Sequence, residues 1–147
     1  MLECERQRVW DAIYDQRAWP SWWHGLESVV ELDPGDEAGV GAHSRLKWRA
    51  KVGYSLVFEA KARVIEKPRL IVADVSGELI GTGTWRLFEQ DGITAVLYQG
   101  DVSASKRWMM LLAPVLNPVF RQNHDWVMRN GATGIAELLG VRLVASG

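Results

Sequence analysis

The sequence predicts an α+β domain in which a curved antiparallel sheet of about six to seven strands wraps one long C-terminal helix. Three observations carry this. From Ala42 onward, apolar and charged residues alternate with period two through successive segments punctuated by turn formers. The last third switches to helical periodicity and stops at Gly140. The resulting order is two short helices, a run of strands and a final long helix, and a sheet closed round that helix buries all the apolar faces.

The elements follow in order. Glu5 to Tyr14 reads as a helix, with Val9, Trp10 and Ile13 at helical spacing. Trp19-Pro20-Ser21-Trp22-Trp23 starts a second short helical turn, since proline suits a first helical position. Leu26 to Leu32 is a strand ending in the turn formers Asp33-Pro34-Gly35-Asp36. In the next strand Ala42, Ser44, Leu46, Trp48 and Ala50 share one face, and His43, Arg45, Lys47, Arg49 and Lys51 the other. Tyr54, Leu56, Phe58, Ala60, Ala62 and Val64 then point inward, with Glu59, Lys61 and Arg63 outward. After a turn at Lys67-Pro68-Arg69, strands cover Leu70 to Ser76, Thr82 to Glu89 and Ile93 to Val102, and Gln90-Asp91-Gly92 joins the last two as a hairpin. Pro114 and Pro118 interrupt the pattern, so the long helix is expected from Val119 to Leu139. One of its faces carries Leu116, Phe120, Val127, Gly131, Gly134, Ile135 and Leu138, and the opposite face Arg121, Asp125, Arg129 and Ala136.

Composition bounds the function. A chain of 147 residues fits a single domain spanning 1–147, and 48% hydrophobic residues exclude long disorder. The net charge of −1 argues against a nucleic-acid-coating protein, so no nucleic-acid partner is expected. Charge is uneven all the same. Residues 1–41 hold three Arg and nine acids, and residues 42–69 hold eight basic residues and two acids. One cysteine, Cys4, allows neither an intrachain disulfide nor a multi-thiolate metal site. His24, His43 and His124 lack metal-ligand spacing, so no metal and no cofactor are expected. Gly81-Thr82-Gly83 lacks the lysine of a phosphate loop, and no Gly-x-Ser-x-Gly elbow exists. The N-terminus has no apolar stretch of the secretory kind, and the uncharged run Trp108–Phe120 is too short to span a bilayer. A soluble, cytoplasmic protein without stable membrane insertion is expected.

Several motifs, taken in order, resemble a known family. They are Val9-Trp10-Asp11-Ala12-Ile13 with Trp19 and Trp22-Trp23, and Gly39-Val40-Gly41. Further on come Ser76-Gly77-Glu78-Leu79, Gly81-Thr82-Gly83-Thr84-Trp85, Lys106-Arg107-Trp108-Met109, Pro118-Val119-Phe120-Arg121 and Asn123-His124-Asp125. Over nearly the whole chain the sequence resembles the START-related (SRPBCC) superfamily, in its polyketide cyclase/dehydrase and lipid transport type. The resemblance implies a helix-grip fold with an apolar cavity between helix and sheet. Members of that family normally open with a strand of about ten residues, whereas a mean strand has ~5–6. Met1 to Cys4 alone precede the first helix here, so that strand is expected to be absent or very short, and a start upstream of Met1 would supply it.

The family does not fix the chemistry. The expected function is binding, transport or modification of a small, mostly apolar ligand such as a lipid, polyketide or aromatic metabolite. Its expected ligand-binding residues are Trp48, Tyr54, Phe58, Trp85, Tyr98, Phe120, Asn123, His124, Val127 and Gly131. His124 is read on the inward helix face, either as a ligand-facing polar group or as a core histidine, with Asp125 pointing away. Gly131 and Gly134 each cost about 1 kcal/mol in a helix. They serve either close approach of helix to sheet or cavity volume. The inward aromatics are either core or lining. Of Trp19, Trp22 and Trp23, one or two should plug the core and a third stand at the pocket mouth.

Two alternatives remain. A cofactor-free cyclase or dehydratase would use His124 or Asp74 to move a proton α to a carbonyl. A protein-binding regulator would use the basic stripe of Arg45, Lys47, Arg49, Lys51, Lys61 and Arg63, which otherwise reads as a solvated sheet face. The apolar run Trp108 to Leu116 is either a satellite core or a cover that meets the cavity mouth, a membrane surface or a second subunit in a homodimer.

Overall fold

A computed structural model of the protein describes residues 1–49, 55–104 and 113–145, with backbone alone at 104, 113–117, 119 and 120. Helix α1 spans Arg6–Tyr14 and a single 3-10 turn spans Gln16–Ala18. Helix α2 spans Trp19–Trp22 and α3 spans Ala113–Leu139. Between α2 and α3 lie β1 (Leu26–Asp33), β2 (His43–Arg49), β3 (Ser55–Glu66), β4 (Leu70–Gly77), β5 (Leu79–Gln90) and β6 (Ile93–Ala104). All six strands pair antiparallel in chain order.

Local chemistry accounts for the joints. Asp91 and Gly92 both have positive φ, 53° and 76°, as a two-residue hairpin turn of the primed kind requires. At the end of α3, the Val141 N–H donates to Ala136 O and the Gly140 N–H to Glu137 O, with Gly140 at φ 65°. That is a Schellman cap, and it ends the helix at the expected glycine. The tryptophans tie the first helices to the rest. Trp19 Nε1 donates to Ile13 O at 3.0 Å, and Trp23 Nε1 donates to Val127 O at 2.8 Å. These two rings are buried and join Val9, Trp10, Ile13, Leu26, Leu46, Leu87 and Ile135 in one core, with Trp22 packed partly buried at its margin.

Residues 1–4 form no strand but still complete the sheet edge locally. Leu2 exchanges two 2.8 Å backbone hydrogen bonds with Thr94 and bridges Leu143 on its other side. The Thr94 hydroxyl donates to Cys4 O at 2.8 Å, in a site where Leu2 and Thr94 are both buried.

The structure corrects four expectations. Helix α3 starts at Ala113 rather than Val119 and holds Pro118 within it. As the sixth residue of the helix, Pro118 has no N–H to give the carbonyl four residues back, so α3 runs through it with that one hydrogen bond missing rather than starting after it. Strand β5 starts at Leu79 rather than Thr82, because Gly77, at φ 104°, turns the chain with Glu78 alone between β4 and β5. Register slips between Ala62 and Val64, so Ile65 rather than Val64 joins Ala62 on the inner side. An added residue in one strand of a pair shifts the alternation beyond it. On α3, Ala136 is buried and Leu138 is 52% exposed, the reverse of the helical-wheel expectation. In this last turn the packing partner is α1, whose Arg8 donates to Leu139 O at 2.7 Å, so the buried face rotates away from the sheet side.

Candidate functional site

Between the inner face of the sheet and α3 lies a cavity of about 1150 Å³. Its sheet wall follows from period two, with Leu46 and Trp48 on β2, Phe58 and Ala60 on β3, and Trp85 on β5 facing Tyr98 on β6. Val127 and Met128 of α3 close the other side. Small residues on or beside the strands, among them Ala42, Ala62 and Ala73, leave the space that larger side chains would fill.

The aromatic lining is continuous. Trp23 contacts Trp19 at 5.3 Å, Trp48 at 5.0 Å and Trp85 at 5.9 Å between ring centroids. Trp85 reaches Tyr98 at 4.7 Å, and Tyr98 stacks on His124 at 6.4 Å with an interplanar angle of 24°. Edge-to-face and tilted pairs of this kind add about 0.5–1.5 kcal/mol each beyond burial. The Trp48 and Trp22 indole N–H groups are buried and have no hydrogen-bond partner among the described residues. Such a donor costs about 1–3 kcal/mol.

Polar groups gather where the lining meets solvent. Arg17 pairs with Glu31 at 3.5 Å, and both line the cavity together with Tyr14 and Gln16. On α3, Arg121, Asn123, His124 and Asp125 line it as well; Asn123 is half-buried and the other three are exposed. Burial pushes the Tyr98 phenol above its ordinary value, so it remains a neutral hydroxyl.

Of the residues expected to bind ligand, Trp48, Phe58, Trp85, Tyr98, Asn123, His124 and Val127 line this one cavity. Tyr54 and the Phe120 side chain lie outside the described residues, as do Lys51 and Trp108–Leu112 of the apolar run. Gly131 does not line the cavity. A Cβ built on it would sit 2.6 Å from Trp23 Cε2, so the missing side chain serves close packing. The same holds for Gly134, whose Cβ would fall 1.8 Å from Trp22 O. His124 is at the solvent margin rather than deep in the cavity, and Asp125 and Arg121 turn toward the opening instead of away from it. This end of α3 stands over open space, so flanking side chains reach the lining too. Asp74 faces outward and pairs with Arg63 at 3.2 Å, which removes it as a proton carrier within the cavity. The basic stripe is partly paired: Lys47 meets Glu27 at 3.2 Å, and Arg63 meets Asp74.

Sequence reasoning missed Arg17, Glu31 and Met128. Leu46 and Ile71 were legible from strand alternation. Arg17 and Glu31 belong to no common pattern and meet only because the 3-10 turn packs on β1. Among the described residues, no three His, Cys, Asp or Glu side chains come together, and no helix is long and apolar enough to cross a membrane.

A sheet of six antiparallel strands in chain order, gripping one long helix over an apolar cavity, is an arrangement with known counterparts. The chain has the helix-grip fold. Protein TTHA0849 from Thermus thermophilus superposes with a TM-score of 0.78 at 13% identity, covering 92% of this chain and 90% of that one. The di-domain ARO/CYC BexL from the BE-7585A biosynthetic pathway matches with a TM-score of 0.69 at 18% identity. That match covers 99% of this chain but 48% of BexL, so the chain spans about half of that di-domain protein. The Zhui aromatase/cyclase from Streptomyces sp. R1128 matches with a TM-score of 0.61 at 16% identity, covering 95% and 87%. No family model and no curated protein sequence matches the chain.

Proposed function

We propose that the protein binds a small, mostly apolar ligand, such as a lipid, polyketide or aromatic metabolite, in the cavity between sheet and α3. The observation that carries this is the cavity itself. Its volume of about 1150 Å³ lies just above the usual range of small-molecule sites, about 300–1,000 Å³. A few polar groups at its margin and a continuous aromatic lining match what such sites use to orient a flat ligand. The aromatase/cyclases among the structural neighbours support a role of this kind. With one buried thiol, Cys4, the chain has no need of an oxidising compartment, and we place its activity in the cytoplasm.

Filling the cavity tests this reading. Ala73 lines the space from β4. In a packed core, Ala73→Phe would cost about 1–3 kcal/mol through overpacking. In an open cavity it leaves stability unchanged and blocks uptake of lipid or polyketide ligands seen by native mass spectrometry. A strongly destabilised Ala73→Phe variant would show that the space is not available.

One observation favours a second, catalytic reading: His124 stacks over Tyr98 at the cavity margin. A cyclase or dehydratase would use this imidazole as acid and base. Turnover of a poly-β-ketone that disappears in a folded His124→Ala variant distinguishes it from passive binding.

A further inference from the structure

The inner faces of β5 and β6 carry an unusual pairing. Gly83 and Gly100 stand directly opposite each other, one position beyond the Trp85–Tyr98 pair on the same face. The bare backbone there is occupied by Tyr98. A Cβ on Gly83 would meet the Tyr98 hydroxyl at 2.9 Å, and one on Gly100 would meet Tyr98 Cε1 at 3.3 Å and the hydroxyl at 3.4 Å. The two glycines therefore form a slot in which the phenol ring lies back along the sheet. Trp85 at 4.7 Å and His124 at 6.4 Å hold the ring from its other sides. Neither glycine has positive φ, so its backbone would accept alanine. What needs a missing side chain here is the position of the phenol.

The hydroxyl so placed lines the cavity. Among the described residues it has no hydrogen-bond partner. The residue is half-buried and its hydroxyl faces the cavity, where a ligand atom can accept from it. Burial keeps the phenol protonated, so it donates.

We infer that Tyr98, seated by the Gly83–Gly100 slot, is the specificity-determining donor of the cavity and selects apolar ligands that carry a carbonyl oxygen. This rests on the ligand-binding reading above and adds the functional group that the ligand must present. Tyr98 contributes the contact, and Gly83 is a positioning residue that acts through it.

The test compares 2-acetonaphthone with 2-ethylnaphthalene, which differ in little but the carbonyl, by isothermal titration calorimetry. A single added hydrogen bond predicts that the wild-type protein prefers the ketone by about three- to tenfold. Tyr98→Phe brings that ratio to about one while leaving 2-ethylnaphthalene affinity unchanged. Gly83→Ala does the same with the hydroxyl still present, because the new methyl pushes it out of place. That variant guards against a loss caused merely by altered packing at position 98. 2-Naphthoate completes the series, and a preference for it over the ketone that survives Tyr98→Phe would assign selection to Arg121 and overturn the inference. An undiminished ketone preference in Tyr98→Phe would overturn it as well. If neither naphthalene binds the folded wild-type protein, the ligand-binding reading itself fails and this inference with it.

Discussion

Gly134→Ala should destabilise the protein although it improves the helix. Alanine is favoured over glycine in a helix interior by about 1 kcal/mol. Here, however, the new Cβ would fall 1.8 Å from the Trp22 carbonyl oxygen, a backbone atom with no rotamer to escape into. Relief requires α2 and α3 to part. Trp22 stacks on Trp23 at 5.4 Å, and Trp23 is bound to Val127 O of α3 at 2.8 Å, so separation strains or breaks that hydrogen bond. Losing it costs about 0.5–1.5 kcal/mol and the overpacking itself about 1–3 kcal/mol. Set against the helical gain, the net loss is about 2 kcal/mol, which lowers the melting temperature by roughly 4–8 °C in a chain of this size. Urea unfolding followed by tryptophan fluorescence, with calorimetry alongside, measures both. Thr133→Ala, exposed on the same turn, is the control and should raise stability by a few tenths of a kcal/mol. A Gly134→Ala variant as stable as the wild type, or more so, would refute the close contact between α2 and α3.

Leu2→Ala should cost about 2–4 kcal/mol in chemical denaturation, because a side chain only 3% exposed is cut away at the point where residues 1–4 bridge β6 and Leu143. A loss below about 0.5 kcal/mol, the scale of an ordinary surface substitution, would show that this bridge does not hold the edge. Alkaline pH should weaken the fold through Tyr98. Its phenol is raised above the ordinary 10.0 when folded, so above that pH the unfolded chain loses a proton that the folded one keeps. The contribution is full below the ordinary value and is lost as pH climbs through the folded one. Tyr98→Phe should flatten that part of the stability curve, and an unchanged slope would contradict the burial of the hydroxyl.

The amino-acid sequence by itself determined the alternation of β2 to β6, the hairpin at Asp91-Gly92 and the stop at Gly140. Each is written in residues a few positions apart: period two, a turn dipeptide, a glycine after an apolar stripe. It also determined which strand residues face inward, except beyond the slip after Ala62 on β3, because alternation leaves no choice once one face is charged and the register is regular. That is why Trp48, Phe58, Trp85 and Tyr98 could be named as lining from the sequence. Only the tertiary structure decided what the helix residues do. The helical wheel gave Gly131 and Val127 the same inward role, yet Trp23 fills the space beside Gly131 while Val127 lines the cavity. The wheel likewise assigned Ala136 to solvent, because it cannot know that the last turn of α3 packs on α1. The pairing of Arg17 with Glu31, and the seat that Gly83 and Gly100 make for Tyr98, depend on segments brought together by strand register and helix packing. Long-range contacts of this kind leave no periodic mark in a sequence, since neither partner's local pattern depends on the other.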